Sequence, residues 1–207
     1  MKIKTLITGA YQENCYIIWD KDYKCIVIDP GDNSEDIIKI IKDESLDVIG
    51  YVITHAHSDH ISALYDVHHR YAAPIAMHSL DWSWAFSEEN SSPPFYNSPR
   101  KPEKFEYLEL ESKQRWDFNH LSFTVIHTPG HTPGSCTLYF DTNKTAFVGD
   151  TLFKGSCGRT DLPRGNSIHL KESLRLLKKL PSETVIYSGH GDISTIGYEI
   201  ENNFFMK

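Results

Sequence analysis

The sequence predicts an α/β protein in which two sheets pack together and helices cover both outer faces. Two observations lead there. Short apolar runs bounded by turn-forming residues recur along the chain. They come in two successive batches, each strand-rich and then helical, and a pair of packed sheets with its own helices on either side accommodates that order.

The elements follow in order. Apolar stretches at 3–8, 14–19 and 25–29 read as a strand meander. Pro30 has no N–H to pair, so Asp29-Pro30-Gly31 ends the third strand. Asp32, Asn33 and Ser34 offer caps for a helix with Glu35 and Asp36 in its first turn, and Ile37, Ile38 and Ile41 form one apolar face. The run 48–53 is the next strand, followed by a helix from Ser62 to Ala72 and a short strand at Ile75-Ala76-Met77. Residues 87–104 hold four prolines and four serines and read as a loop insertion, too short for a domain. Strands are expected near 105–110, 121–126, 136–140 and 145–148. A helix over 167–180 places Leu170, Leu174 and Leu177 on one face, and a strand at 184–188 and a helix from 194 complete the order.

At 207 residues the chain fits a single domain, 1–207, and 40% hydrophobic residues with 12% aromatics suffice for a sizeable core. A net charge of −7 without any Lys/Arg block argues against nucleic acid or an anionic membrane as partner. No apolar run is long enough to span a bilayer, and Met1 to Ala10 lacks the sustained apolar region of a signal peptide. Cys15, Cys25, Cys136 and Cys157 are scattered and form no CxxC pair, so a reducing cytoplasm is the expected location.

Against this background the stretch "THAHSDH", residues 54–60, crowds three histidines and an aspartate onto the end of an apolar strand. Isolated imidazoles would be costly to desolvate there. Three other strand ends carry the same signature: His131 after 121–126, Asp150 after 145–148 and His190 after 184–188, each directly preceded by glycine. Glycine allows a tight turn and a close backbone approach. If these ends lie along one edge, His55, His57, Asp59, His60, His131, Asp150 and His190 converge, a donor set suited to zinc or another first-row divalent metal. Seven ligands exceed one tetrahedral ion and suit two ions sharing a carboxylate. The other six histidines (His68, His69, His78, His120, His127 and His169) show no such placement and read as surface or satisfied core residues.

"THAHSDH", "HTPGHTPGS" (127–135), "GDTLF" (149–153) and "SGHG" (188–191) together resemble the metallo-β-lactamase superfamily over nearly the whole chain. That resemblance implies a four-layer αββα sandwich. It also implies a partition of ligands: His55, His57 and His131 at a first metal, Asp59, His60 and His190 at a second, and Asp150 bridging them. The ions implied are two per chain, zinc foremost, with iron or manganese as alternatives.

The stretch "GDTLFKGSCGRTDLPRGN", 149–166, is similar to the glyoxalase II branch, in a compact one-domain form without the helical C-terminal domain. Members of that branch hydrolyse glutathione thioesters such as S-lactoylglutathione. The resemblance makes Arg159 a substrate contact, the alternative being a simple pair with Asp161. The mechanism it implies is attack of a metal-bridging hydroxide on the thioester carbonyl, with Asp59 ligating the second metal and holding the hydroxide's proton. Cys157, between Ser156 and Gly158, reads as part of a tight loop rather than a nucleophile. The alternative function is a mononuclear-iron persulfide dioxygenase, which shares the fold and a "GRTD" loop like 158–161 and holds its metal with the equivalents of His55, His131 and Asp150.

Overall fold

A computed structural model describes residues 1–207. In chain order its elements are β1 (Lys2–Thr8), β2 (Glu13–Trp19), β3 (Lys24–Ile28), α1 (Ser34–Asp43), β4 (Asp47–Val52), α2 (Ser58–Ile61), α3 (Leu64–Arg70), β5 (Ile75–Met77), α4 (Ser79–Trp82) and β6 (Tyr107–Glu109). Then come β7 (Arg115–Phe118), β8 (Leu121–His127), β9 (Cys136–Phe140), β10 (Thr145–Gly149), β11 (Leu152–Phe153), β12 (Ser156–Cys157), α5 (Ser167–Leu177), β13 (Val185–Ser188), β14 (Ser194–Thr195) and α6 (Ile196–Asn202). The strands make two six-stranded sheets, β1-β2-β3-β4-β5-β6 and β14-β13-β10-β9-β8-β7, plus the hairpin β11-β12. In the first sheet β1 to β3 are antiparallel and β3 to β6 parallel; in the second, β10 and β13 form the parallel pair.

Strand alternation sorts the apolar residues into three layers. On β2 and β3, Cys15, Ile17, Cys25 and Val27 face the outer core beneath α1 and α3, whereas Tyr16, Ile18, Ile26 and Ile28 face the core between the sheets. That inter-sheet core is completed from the other side by Phe123, Val125, Leu138, Phe140 and Phe147. Ala146, Val148 and Ile186 point the opposite way, onto Leu170, Leu174 and Leu177 of α5 and Ile196 of α6. Each fully buried side chain of this size stabilises the fold by about 1.5–3 kcal/mol, and a one-residue slip would expose a whole set, so burial fixes the register. The arrangement is the expected αββα sandwich.

Several local expectations needed correction. The helix expected from Ser62 to Ala72 is the shorter α3, Leu64–Arg70, and a separate helix that the sequence did not suggest, α2, precedes it at Ser58–Ile61. The Ala63 N–H is drawn off the helical ladder to the carbonyls of Pro30 and Gly31, at 3.1 and 3.0 Å. Asn33 occupies the cap position of α1 in a left-handed conformation, φ 51°, but its side chain accepts from Gly9 N at 2.8 Å and caps nothing. Lys178 to Leu180 lie beyond the end of α5, and 194–195 belong to a strand before α6 starts at Ile196. β7 is a strand the sequence did not suggest; Asn119, at φ 55°, turns it back onto β8. Within 87–104 the structure has a single 3₁₀ turn, Glu88–Asn90, and otherwise loop.

No helix is long and apolar enough to cross a membrane. The ends of β3, β4, β10 and β13 lie at one edge of the sandwich, where the two sheets are stitched together: Cys136 N donates to Thr54 O at 2.8 Å and Asn14 N to Gly189 O at 2.7 Å. Crevices at such strand ends are where α/β sheets place their ligands.

Candidate metal centre

At that edge the segment after β4 turns from strand to α2 within five residues, delivering His55, His57, Asp59 and His60 in succession. His131 comes from the turn after β8, Asp150 directly follows β10, and His190 follows β13. All seven residues singled out in the sequence meet here. Donor atoms of His55, His57 and His131 lie within 4.8 Å of one another, and so do those of Asp59, His60 and His190. Asp150 stands between the two groups: its Oδ1 is 3.5 Å from His60 Nε2, and its Oδ2 is 3.4 Å from His131 Nε2 and 3.6 Å from His190 Nε2.

Four of the five imidazoles are aimed from behind, whereas His57 Nδ1 meets His131 Nε2 at 2.8 Å within the site. His131 Nδ1 donates to the backbone carbonyl of Arg159 at 2.8 Å and His190 Nδ1 to that of Tyr11 at 3.1 Å. His60 Nδ1 meets Asp29 Oδ2 at 3.1 Å, and His55 Nδ1 meets Thr54 Oγ1 at 3.1 Å, whose hydroxyl in turn donates to Asp29. Asp29 therefore sets the ring orientation of both fully buried histidines, with their Nδ1 atoms protonated. Their Nε2 atoms, together with Asp150 Oδ1, are buried and have no hydrogen-bond partner. Three orphaned lone pairs in one place are costly unless something electropositive meets them.

The charge balance agrees. Burial holds His57 near a pKa of about 3 and His55 well below the usual imidazole range, so both are neutral, with lone pairs free, at physiological pH. For Asp150 burial pushes upward, but His60, His131 and His55 outweigh it and hold the carboxyl well below the carboxylate range. For His60 burial pushes downward and is outweighed by Asp150 and Asp59. Neutral imidazoles at His55 and His57 and an ionised carboxylate at Asp150 fit divalent cations, and binding at His60 and His190 would release the proton that the carboxylates favour there. The backbone leaves room for nothing bulkier: a Cβ on Gly189 would sit 2.2 Å from Asp150 Oδ1, and one on Gly158 would sit 1.8 Å from the Asp150 carbonyl.

Two further residues escaped the sequence reading. Asp29 also sits at a strand end, the same signal that marked the others, but its role as a turn residue before Pro30 concealed it. Asp81, on α4, is fully buried and accepts from Ala56 N at 2.9 Å, Gly134 N at 2.7 Å and Thr132 Oγ1 at 2.7 Å. It thereby ties the His55–His60 segment to the His131 turn; no pattern in the sequence marks it. Asp29→Asn should weaken metal retention about 10- to 100-fold, the usual loss when an outer partner of a ligating histidine is removed. Titration of the purified variant with a competing chelator checks this, and unchanged affinity would remove Asp29 from the site.

Asp59, His57, His131, Asp150 and His190 open onto a cleft of about 480 Å³, whose far walls are Trp84, Glu89, Phe153, Arg159 and Arg164. Arg159 reaches the rim, yet its guanidinium forks onto Asp161, with both bonds at 2.7 Å, and its side chain is 62% exposed. Cys157 also lines the cleft, half-buried, its thiol pushed up by burial, which disfavours the reactive thiolate.

Residues 8–190 match the metallo-beta-lactamase superfamily. The chain belongs to that superfamily. Over its whole length it is 33% identical to hydroxyacylglutathione hydrolase GloC of Haemophilus influenzae, covering 99% of that protein. Among solved structures it resembles the B3 metallo-beta-lactamase BLEG-1 (32% identity, TM-score 0.91, 99% of both chains). It also resembles TTHA1623 in a di-iron-bound form (33% identity, TM-score 0.87, 98% of this chain and 99% of that one). The superfamily member is thus similar both to a thioester hydrolase and to a structure holding two metal ions.

Proposed function

We propose that this protein is a dinuclear metal-dependent hydrolase that cleaves thioesters, S-lactoylglutathione or a related acyl-thiol. The observation that carries the reading is the set of buried, unpartnered donor atoms (His55 Nε2, His60 Nε2 and Asp150 Oδ1), of which Asp150 lines an open cleft and the two histidines are fully buried beside it. The full-length similarity to hydroxyacylglutathione hydrolase GloC supports the substrate class. His55, His57 and His131 would hold one ion, Asp59, His60 and His190 the other, and Asp150 both. Two divalent ions, zinc or iron, supply Lewis acidity at the carbonyl and an acidified water.

The chain's own groups do the rest. Asp59 Oδ2, 3.3 Å from His190 Nε2, keeps a carboxylate at the open side of the site and can take up a proton from water. Asp29 and the Arg159 and Tyr11 carbonyls fix the imidazoles so that no reorganisation accompanies reaction. No serine or cysteine nucleophile is required. Four free cysteines accord with a cytoplasmic location.

The deciding experiment pairs metal analysis of the purified protein with thioester hydrolysis and with oxygen uptake on glutathione persulfide. Two ions and oxygen-independent cleavage are expected; one iron with oxygen consumption and no thioesterase activity would assign a dioxygenase instead. Arg159→Ala should raise KM for an anionic thioester about 5- to 10-fold. That is below the roughly 10- to 150-fold expected of a free charge-assisted bond, because Arg159 first has to leave Asp161. Steady-state kinetics with charged and neutral thioesters measure it, and equal losses on both would make Arg159 a loop residue only.

A further inference from the structure

The rim of the cleft carries a second arginine, Arg164, whose backbone, partner and neighbours are all unusual. Its φ is 71°, in the left-handed region that favours glycine. The turn is tight here: Gly165 beside it is pressed so close to the Thr160 carbonyl that a Cβ there would come within 2.4 Å. Glycine would suit position 164 at no steric cost, and the chain instead holds a long cationic side chain there, over the cleft.

That side chain is set out as a fork. Nε donates to Glu89 Oε1 at 2.9 Å and Nη2 to Glu89 Oε2 at 2.8 Å. Its Cζ lies 5.5 Å from the Trp84 ring, and Trp84 packs edge-on to His57 at 5.7 Å. Glu89 is held from the other side, because the next residue, Asn90, is buried and donates to the carbonyls of Ala56 and Ala85. The guanidinium is thereby presented, planar and supported, one aromatic ring away from a metal-site histidine. Glu89 shows that the position accepts a carboxylate in bidentate geometry. With side chains 38% and 42% exposed, the pair contributes little net stability and exchanges readily.

We infer that Arg164 is a carboxylate-recognising residue of the cleft in addition to Arg159: the substrate is an acyl-thiol bearing a free carboxylate, which replaces Glu89 on the guanidinium. The acyl-thiol part rests on the hydrolase reading; the carboxylate part does not. Glu89 then acts as a competing anion that an uncharged thioester cannot displace. In a chain of net charge −7 it also keeps the cation compensated between turnovers.

The test uses two variants with opposite expected effects, assayed in the metal-loaded enzyme with S-lactoylglutathione and with the uncharged thioester S-lactoyl-N-acetylcysteamine. Arg164→Gln should lower the charged-to-neutral ratio of kcat/KM at least about 10-fold, chiefly through KM. Glu89→Gln should raise that ratio, because Arg164 is freed of its competitor. Calorimetric binding of S-methylglutathione, which cannot be hydrolysed, should weaken in Arg164→Gln and tighten in Glu89→Gln. If the native enzyme cleaves no thioester but shows this binding pattern, the hydrolase reading falls and carboxylate recognition stands. An unchanged ratio in Arg164→Gln, or weaker binding in Glu89→Gln, would overturn the inference.

Discussion

Asp150→Asn is expected to empty both metal positions at once. The two carboxylate oxygens face different triads, Oδ1 toward His60 and Oδ2 toward His131 and His190, at 3.4–3.6 Å. An amide offers one oxygen and, on the other side, an N–H₂ that cannot accept a cation. The residue has little room to shift out of the conflict, because Gly189 lies against its Oδ1 and Gly158 against its backbone carbonyl. The lost negative charge also leaves five imidazoles around the cations with Asp59 as the remaining anion. Metal content should fall below half that of the native protein. Activity should fall by more than the roughly 100-fold that an outer-partner loss costs. Elemental analysis and kcat/KM on the same preparation decide it; retention of both ions and full activity would end the dinuclear reading.

The second large effect is expected at a residue that touches no metal ligand side chain. Asp81→Ala removes the acceptor for Ala56 N, Gly134 N and Thr132 Oγ1, all buried. Burial itself lifts the Asp81 pKa, and these three donors pull it back, so the group is held as an acceptor at some cost. Stranding its donors should destabilise the fold by about 3–5 kcal/mol. For a chain of this size that lowers Tm by roughly 6–20 °C. The loss should be uneven across the site. His57 adjoins Ala56 and His131 adjoins Thr132, so the ion held by His55, His57 and His131 should weaken more than the one held by Asp59, His60 and His190. Asp81→Asn, which keeps one oxygen, should lose less. Thermal unfolding and stepwise metal titration measure both parts; a native Tm in Asp81→Ala would show that water satisfies the donors.

These two residues mark what the sequence discloses and what it hides. Asp150 was legible because it belongs to a pattern: a polar residue after glycine at the end of an apolar run, repeated along the chain. Such a pattern survives in one dimension because strand ends are local. Asp81 contacts residues 25 and 53 positions away, and a single acid before Trp82 carries no mark of that. The same distinction governs the fold. Strands β2, β3, β4 and β10 each carry a mostly apolar run and are readable, whereas β7 (Arg-Trp-Asp-Phe) alternates in a mixed polar segment and the β11-β12 hairpin is two residues per strand. Helix α2, Ser58–Ile61, was not legible as an element of its own, and the Pro30 and Gly31 carbonyls that take the Ala63 N–H between it and α3 lie some thirty residues upstream.

The way the ligands divide between the two sheets has a consequence for the order of events during synthesis. The six strands of the first sheet are complete by Glu109, and by then the chain has supplied His55, His57, Asp59 and His60: two donors of each triad and neither third. His131, Asp150 and His190 emerge later, from the second sheet. A growing chain therefore carries both groups incomplete until the second sheet has folded against the first. Ions bound by all seven residues would clamp the two sheets together only after both have formed. A ribosome-bound chain exposes no finished centre that could capture the wrong metal from its surroundings. Selection among zinc, iron and manganese is thus left to whichever ion the completed cleft meets first and holds best.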